Sequence, residues 1–174
     1  MPITNMTAAI ATPAHDTRLL RQALGSFATG VTIVTTRDRA GNDVGLTVNS
    51  FNSVSLEPAL VLWSLAHSSQ NLLAAFNESG YFAVHILAAE QEALSNLFAS
   101  RGADKFAGLT LTRGAGGVPL LEGCAARFEC RTAQRIAGGD HEIYIGEVLA
   151  FENCQRPPLL FHGGQYAALA AKAV

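Results

Sequence analysis

Gly45-Leu46-Thr47-Val48-Asn49-Ser50-Phe51-Asn52-Ser53-Val54-Ser55-Leu56 starts as a strand and continues as something less ordinary. Val44, Leu46 and Val48 alternate as one apolar side, and Gly45, Thr47 and Asn49 form a small, hydrogen-bonding other side, the period-two pattern of a half-buried strand. Ser50, Asn52, Ser53 and Ser55 then interleave hydroxyl and amide groups with Phe51 and Val54. A solvated loop does not need that interleaving. A wall that holds a flat, polar ligand with neutral donors and acceptors does.

The elements on either side are short. Leu19, Leu20, Ala23, Leu24 and Phe27 recur at helical spacing, with Asp16 or Thr17 as N-cap and Gly30 as the stop. Val31 to Arg37 is β-branched and reads as a strand, Asp38 to Asn42 as a turn, and the opening stretch as the second arm of a hairpin. Glu57-Pro58 ends it. Leu60 to Leu65 is a continuous apolar run, the pattern of a buried strand. Ser68-Ser69 open a short helix with Leu72, Leu73 and Phe76 inward, closed by Asn77 to Gly80.

Tyr81 to Leu87 reads as a strand and Ala89 to Ser100 as a helix with Leu94, Leu97 and Phe98 inward. Arg101 to Gly108 and Gly114 to Gly117 read as loops. From Arg127 to Ile136 the alternation is clear: Arg127, Glu129, Arg131 and Arg135 on one face, Phe128, Cys130 and Ile136 on the other, as in an antiparallel strand with one wet face. Gly138-Gly139-Asp140 turns the chain, His141 to Phe151 returns as a long strand, and Leu159 to Tyr166 is a last short strand with a Gly163-Gly164 kink. This mainly β pattern with short helices predicts a closed antiparallel barrel, Greek-key-like, with helices over its openings, and excludes a doubly wound parallel sheet.

The 174 residues suggest one domain. Hydrophobic residues make up 49% and charged residues 15%, against about 25% charged in typical domains. Such a charge deficit predicts that a second subunit covers part of the surface, an oligomer rather than a monomer. A net charge of −2 with no basic run argues against nucleic acid, and no apolar run reaches the length of a membrane span. The expected organisation is a flexible N-terminal arm (1–16), a single domain (17–168) and a C-terminal tail (169–174). The arm lacks the basic and apolar regions of a secretory signal. Cys124, Cys130 and Cys154 have neither CxxC spacing nor an even count, consistent with a reduced cytoplasm.

The chain has no G-x-G-x-x-G after a strand, no P-loop lysine after Gly114 to Gly117 and no H-E-x-x-H. Its five histidines are scattered, so no metal site is expected. Ser68-Ser69, between a buried strand and a helix, are N-caps or a phosphate site, and the two roles can coexist. Lys105 is a surface lysine or a cation over a phosphate or carbonyl edge. In Gly139-Asp140-His141 the turn accounts for Gly139 and Asp140, but not for His141, which could bind a ligand or pass a proton. Around Gly163-Gly164, Tyr166 is a core tyrosine or a ring partner. Trp63 and His85 read as core.

In this order and spacing the chain resembles the flavin reductase family of the FMN-binding split-barrel fold, the small reductase components of two-component flavin-dependent monooxygenases. The resemblance runs from about Leu20 to Ala168. It is carried by Leu24 to Thr32, Thr47 to Ser55, Leu60 to Leu65 with Ser68-Ser69, Asp104-Lys105-Phe106, Gly139-Asp140-His141 and Gly163 to Tyr166. It implies a homodimeric split barrel, flavin at the subunit boundary, and hydride transfer from NADH or NADPH to FMN or FAD for a partner monooxygenase. It places Thr47, Val48, Asn49 and Ser50 at the flavin ring and ribityl chain, and Ser64, Leu65, Ser68 and Ser69 along the chain and phosphate. Lys105 is placed near the phosphate, His141 where nicotinamide stacks, and Tyr166 beside it. Asn49 stands where many relatives have Ala or Ser.

The residues agree with that chemistry, because stacking two rings needs neutral donors and no nucleophile or metal. Two alternatives use the same wall: tightly held FMN reducing a metal complex or corrinoid, or a flavin- or haem-binding module without catalysis.

Overall fold

Six consecutive residues, Val31 to Thr36, are fully buried. Both faces of one strand are therefore covered, and successive side chains enter different cores: Ile33 joins one cluster and Val34 another. The computed structural model describes residues 16–102 and 104–170. Apart from Asp16, Leu169 and Ala170, the expected arm and tail lie outside them.

The chain runs α1 (Thr17–Gly25), β1 (Thr29–Gly30), β2 (Thr32–Arg37), β3 (Asp43–Val48), β4 (Asn52–Leu56), β5 (Ala59–Ala66), α2 (Gln70–Ser79), β6 (Tyr81–Ile86) and α3 (Glu92–Ala99). It continues with β7 (Leu111–Arg113), β8 (Pro119–Leu121), β9 (Ala126–Gly138), β10 (His141–Asn153), β11 (Leu160–His162) and β12 (Gln165–Ala167). Seven strands form one antiparallel sheet in the order β3-β2-β6-β9-β10-β5-β4. Smaller sheets are β1-β11-β12 and the hairpin β7-β8.

The fold is mainly β with short helices, as expected, but the sheet is not closed by hydrogen bonds: β3 and β4 are its two edges. Those edges are consecutive in the chain, joined only by Asn49, Ser50 and Phe51. Val48 and Asn52 are thus held within about 14 Å, the span of a short extended chain, so the sheet curls until its ends approach.

Trp63, Tyr144, Phe76 and Phe82 anchor the core beneath α2, with Trp63 stacked on Tyr144 at 4.6 Å between ring centroids. Val31, Ile33, Leu87 and Phe98 anchor a second core beneath α3. Gly45 permits that packing, since a Cβ there would lie 2.7 Å from the Phe98 ring.

Several expectations are corrected. The helical stripe ends at Gly25, and Gly30 belongs to β1. β5 is not buried throughout: Val61, Trp63 and Leu65 turn inward, while Leu62, Ser64 and Ala66 are only half-buried. A bulge where Gly146 pairs Thr132 and Ile145 pairs Gln134 leaves Ala133 unpaired, so the β9 alternation does not persist and Ile136 is 40% exposed. The Gly163-Gly164 kink is a two-residue hairpin turn with φ of +58° and +84°, values that suit a primed turn between β11 and β12.

Helix α1 is capped by Asp16, whose side chain accepts from the N–H groups of Arg18 and Leu19. Its apolar side points outward, with Leu24 65% and the following Phe27 74% exposed. Its polar residues Arg18, Arg21 and Gln22 instead face the Gly163-Gly164 turn. No helix among the described residues is long and apolar enough to cross a membrane.

Candidate functional site

Outward residues of β3 and β5, the β3–β4 link, the N-terminus of α2 and the start of β10 meet in one depression of about 280 Å³. Thr47, Val48, Asn49, Ser50, Ser64, Leu65, Ser69 and His141 line it. Ser69 also lines a groove of about 540 Å³ with Ser68, Arg101 and Lys105. Thr47, Val48 and Asn49 also line a smaller depression of about 210 Å³ with Ser95, Phe161 and Tyr166. Every site residue singled out in the sequence thus falls on one continuous band.

Within the band, several polar groups are already engaged by the fold. The Ser50 hydroxyl accepts from the Ser64 N–H at 3.0 Å and donates to the Ser64 carbonyl at 3.3 Å, pinning the β3–β4 link onto β5. Thr47 Oγ1 donates to the Ser95 carbonyl at 2.7 Å. The Tyr166 hydroxyl donates to Asn96 Oδ1 at 3.0 Å and lies 2.9 Å from Ser95 Oγ, so its ring rather than its hydroxyl is left for the depression. Leu65 is 2% exposed and packs in the core, leaving only its backbone at the wall.

Other groups are left to the groove. Asn49 is exposed. Ser69 occupies the N-cap position of α2, yet its side chain makes no capping hydrogen bond. Its hydroxyl therefore joins the first-turn N–H groups of α2, a helix end with no acidic residue in its first turn. Lys105 is not a mobile cation: its Nζ donates to Phe98 O at 2.7 Å and Gly45 O at 3.3 Å. The ammonium satisfies one carbonyl in the last turn of α3 and one on β3, and keeps one donor more. Burial lowers its pKa.

His141 opens β10 opposite Ala66. Its Nδ1 lies 2.7 Å from Asp140 Oδ1, so the carboxylate accepts and Nε2 is left for the depression. That hydrogen bond holds Asp140 below the usual carboxylate range. His85, by contrast, is wholly buried: Nδ1 donates to Ile33 O at 3.0 Å and Nε2 accepts from the Leu121 N–H at 3.1 Å. It is a core histidine, as read.

Arg101 and Asn71 in the larger groove, and Ser95 and Asn96 on α3, escaped the sequence reading. Ser95-Asn96 interrupts the apolar run Leu94 to Phe98, a signal that could have marked a helix face turned toward a site.

The donor set suits a nucleotide bearing a flat ring: a neutral amide-and-hydroxyl wall that runs into a helix N-terminus flanked by Arg101 and Lys105. The flavin reductase like domain matches residues 24–170, and the chain belongs to that family. It is 47% identical over 152 residues to the FMN reductase (NADH) of Agrobacterium fabrum, which covers 87% of this chain and 86% of that protein. It is 45% identical over 149 residues to the reductase component of a flavin-dependent trigonelline monooxygenase from Acinetobacter baylyi, covering 86% of this chain and 48% of that protein. The chain thus spans about half the length of some curated relatives that it matches. The solved NADH:FAD oxidoreductase of Streptomyces globisporus, in complex with NAD and FAD fragments, superposes with a TM-score of 0.85 at 36% identity, over 91% of this chain and 96% of that one.

Proposed function

We infer that this chain is an NAD(P)H:flavin oxidoreductase that supplies reduced flavin to a partner monooxygenase. The observation that carries the reading is the continuous band in which a neutral polar wall adjoins both a cationic helix end and His141. FMN or FAD fits that donor set, with Asn49, Ser64 and the backbone of Val48 to Ser50 at the ring, and Ser68, Ser69, Arg101 and Lys105 at the phosphate. Bound flavin supplies the hydride acceptor.

The residues supply placement. Ser50 and Thr47 hold the wall rigid through their bonds to β5 and α3, which keeps the donors in position before any ligand arrives. Asp140 orients the His141 imidazole, whose Nε2 faces the space in which nicotinamide would lie over the ring. The relatives support this reading: one is an FMN reductase (NADH), one the reductase component of a flavin-dependent monooxygenase and one an NADH:FAD oxidoreductase.

The curled sheet with adjacent unpaired edges supports a split-barrel architecture for a single domain over 17–168. The outward apolar side of α1 supports a homodimer, because an amphipathic helix turned away from its own core requires another surface. We place the protein in the cytoplasm, where NADH and NADPH are at hand.

Steady-state oxidation of NADH and NADPH, each with FMN and FAD, tests the activity. Turnover that depends on added flavin is expected. Absence of turnover in all four combinations overturns the reading.

A further inference from the structure

Helix α3 packs Leu94, Leu97 and Phe98 toward the core and buries one hydroxyl among them. Ser95 is 0% exposed. A buried hydroxyl costs stability unless it is paired. Ser95 Oγ lies 2.9 Å from the Tyr166 hydroxyl, which itself donates to Asn96 Oδ1 at 3.0 Å. An amide oxygen only accepts, so the phenol proton is committed to Asn96, and Ser95 is the donor to the phenol oxygen. The bonds run one way, from Ser95 to Tyr166 to Asn96.

Ser95 is used twice. Its carbonyl accepts from Thr47 Oγ1 on β3 at 2.7 Å. Tyr166 belongs to β12, which pairs with β11, whereas β3 pairs with β2 in a different sheet. Thr47 and Tyr166 both line the depression of about 210 Å³ that continues the wall past Asn49. One turn of α3 therefore holds both, and sets the spacing between two sheets there. Phe161 meets the Tyr166 ring edge-on, with centroids 5.5 Å apart and planes at 71°. Two bonds at the phenol oxygen and one aromatic contact on the ring leave Tyr166 a single orientation.

We propose that Ser95 and Asn96 are positioning residues for the ring-binding wall, acting through Tyr166. The proposal rests on the flavin reading above. The Tyr166 ring forms one side of the slot that takes the flat flavin ring, and α3 fixes where that side stands before a ligand arrives.

Equilibrium titration of the purified full-length chain with riboflavin, the ring without a phosphate, followed by flavin fluorescence, tests the proposal. Asn96 is exposed, so replacing it does not open the core. Asn96→Leu and Tyr166→Phe should each weaken riboflavin about fivefold, the effect of one neutral hydrogen bond. The double variant should be no weaker than either single one, because both changes remove the same link. Asn96→Asp keeps an acceptor at the same place and should restore the affinity to within about twofold of wild type.

An unchanged riboflavin Kd in either single variant overturns the proposal. So does a double variant whose losses multiply, since Asn96 then acts without Tyr166, and so does an Asn96→Asp variant as weak as Asn96→Leu. An Asn96→Leu variant that raises the KM for NADH and leaves the riboflavin Kd unchanged puts Tyr166 against the nicotinamide instead, and also overturns it. Failure of the wild-type chain to bind any flavin overturns the reading on which the proposal rests.

Discussion

His141 Nδ1 lies 2.7 Å from Oδ1 of its neighbour Asp140, where the turn leads into β10. The carboxylate is exposed and the imidazole half-buried at the groove, so the pair orients one ring nitrogen toward the site while its partner stays in water. Replacing His141 by Ala should therefore impair nicotinamide use more than flavin binding. A loss in kcat/KM for NADH on the order of ten- to a hundredfold is expected from misplacement of one ring, with the flavin Kd little changed. Equal loss of both would remove the role given to His141.

Lys105 has two tasks that a substitution can separate. Its Nζ holds Phe98 and Gly45 carbonyls, and its remaining donor borders the Ser68-Ser69 groove. Lys105→Met keeps the length of the side chain and removes the charge. FMN should then bind about tenfold more weakly, while riboflavin, which has no phosphate, should bind as before. Matched losses for both ligands in fluorescence titration would assign Lys105 to the fold alone.

His85 predicts how stability changes with pH. Burial is the main cause that lowers its pKa from 6.5 to about 4, reinforced by the Arg127 charge and opposed by the bond to Ile33. In the unfolded chain the imidazole takes a proton below about pH 6.5, but in the folded chain it does so only below about 4. Between those values the unfolded state binds more protons, so stability is full above the unfolded pKa and falls as pH drops toward 4. The loss is about 3 kcal/mol at most. Urea melts from pH 7 to pH 4 should show this slope. It should flatten in His85→Gln, which can donate and accept but does not titrate in this range. An identical slope in the variant would assign the acid sensitivity to other groups.

Leu24 and Phe27 lie on the outward side of the α1 segment, 65% and 74% exposed. If a second copy covers them, Leu24→Glu with Phe27→Glu should convert a dimer to a monomer in light scattering coupled to gel filtration. The monomer should keep its circular dichroism spectrum, since neither side chain supports the core of its own chain. A wild-type monomer at micromolar concentration would leave this face without the proposed role.

Gly45→Ala tests the seat of α3 on β3. Its Cβ would meet the Phe98 ring at 2.7 Å and Phe106 at 3.2 Å. Overpacking of this kind costs about 1–3 kcal/mol. A lowered denaturant midpoint with unchanged slope is the expected result, and an unchanged midpoint would mean that α3 shifts freely.

Long alternating or capped elements were legible from the residues. β9 and β10 announced themselves by period two and by Gly138-Gly139-Asp140, and α2 by Ser69 and Gly80. β7 and β8 were not legible, because Leu111–Arg113 and Pro119–Leu121 are too short to show a period and Pro119 argues against a strand. Gly163-Gly164 gave a signal common to kinks and hairpin turns. Only its pairing, Phe161 opposite Tyr166, separates them.

The residues alone determined the neutral character of the wall from Thr47 to Ser55, the serines before α2 and the family to which the chain belongs. These are matters of local pattern and composition. Tertiary structure decided which of those polar groups are available. Ser50, Thr47 and Tyr166 are engaged by β5 and α3, whereas Asn49 and the Ser69 side chain are left to the groove. Lys105 is likewise held by a carbonyl sixty residues away in β3. A hydrogen-bond donor is used or left over according to what the folded chain brings within about 3 Å of it, and those neighbours are distant in sequence.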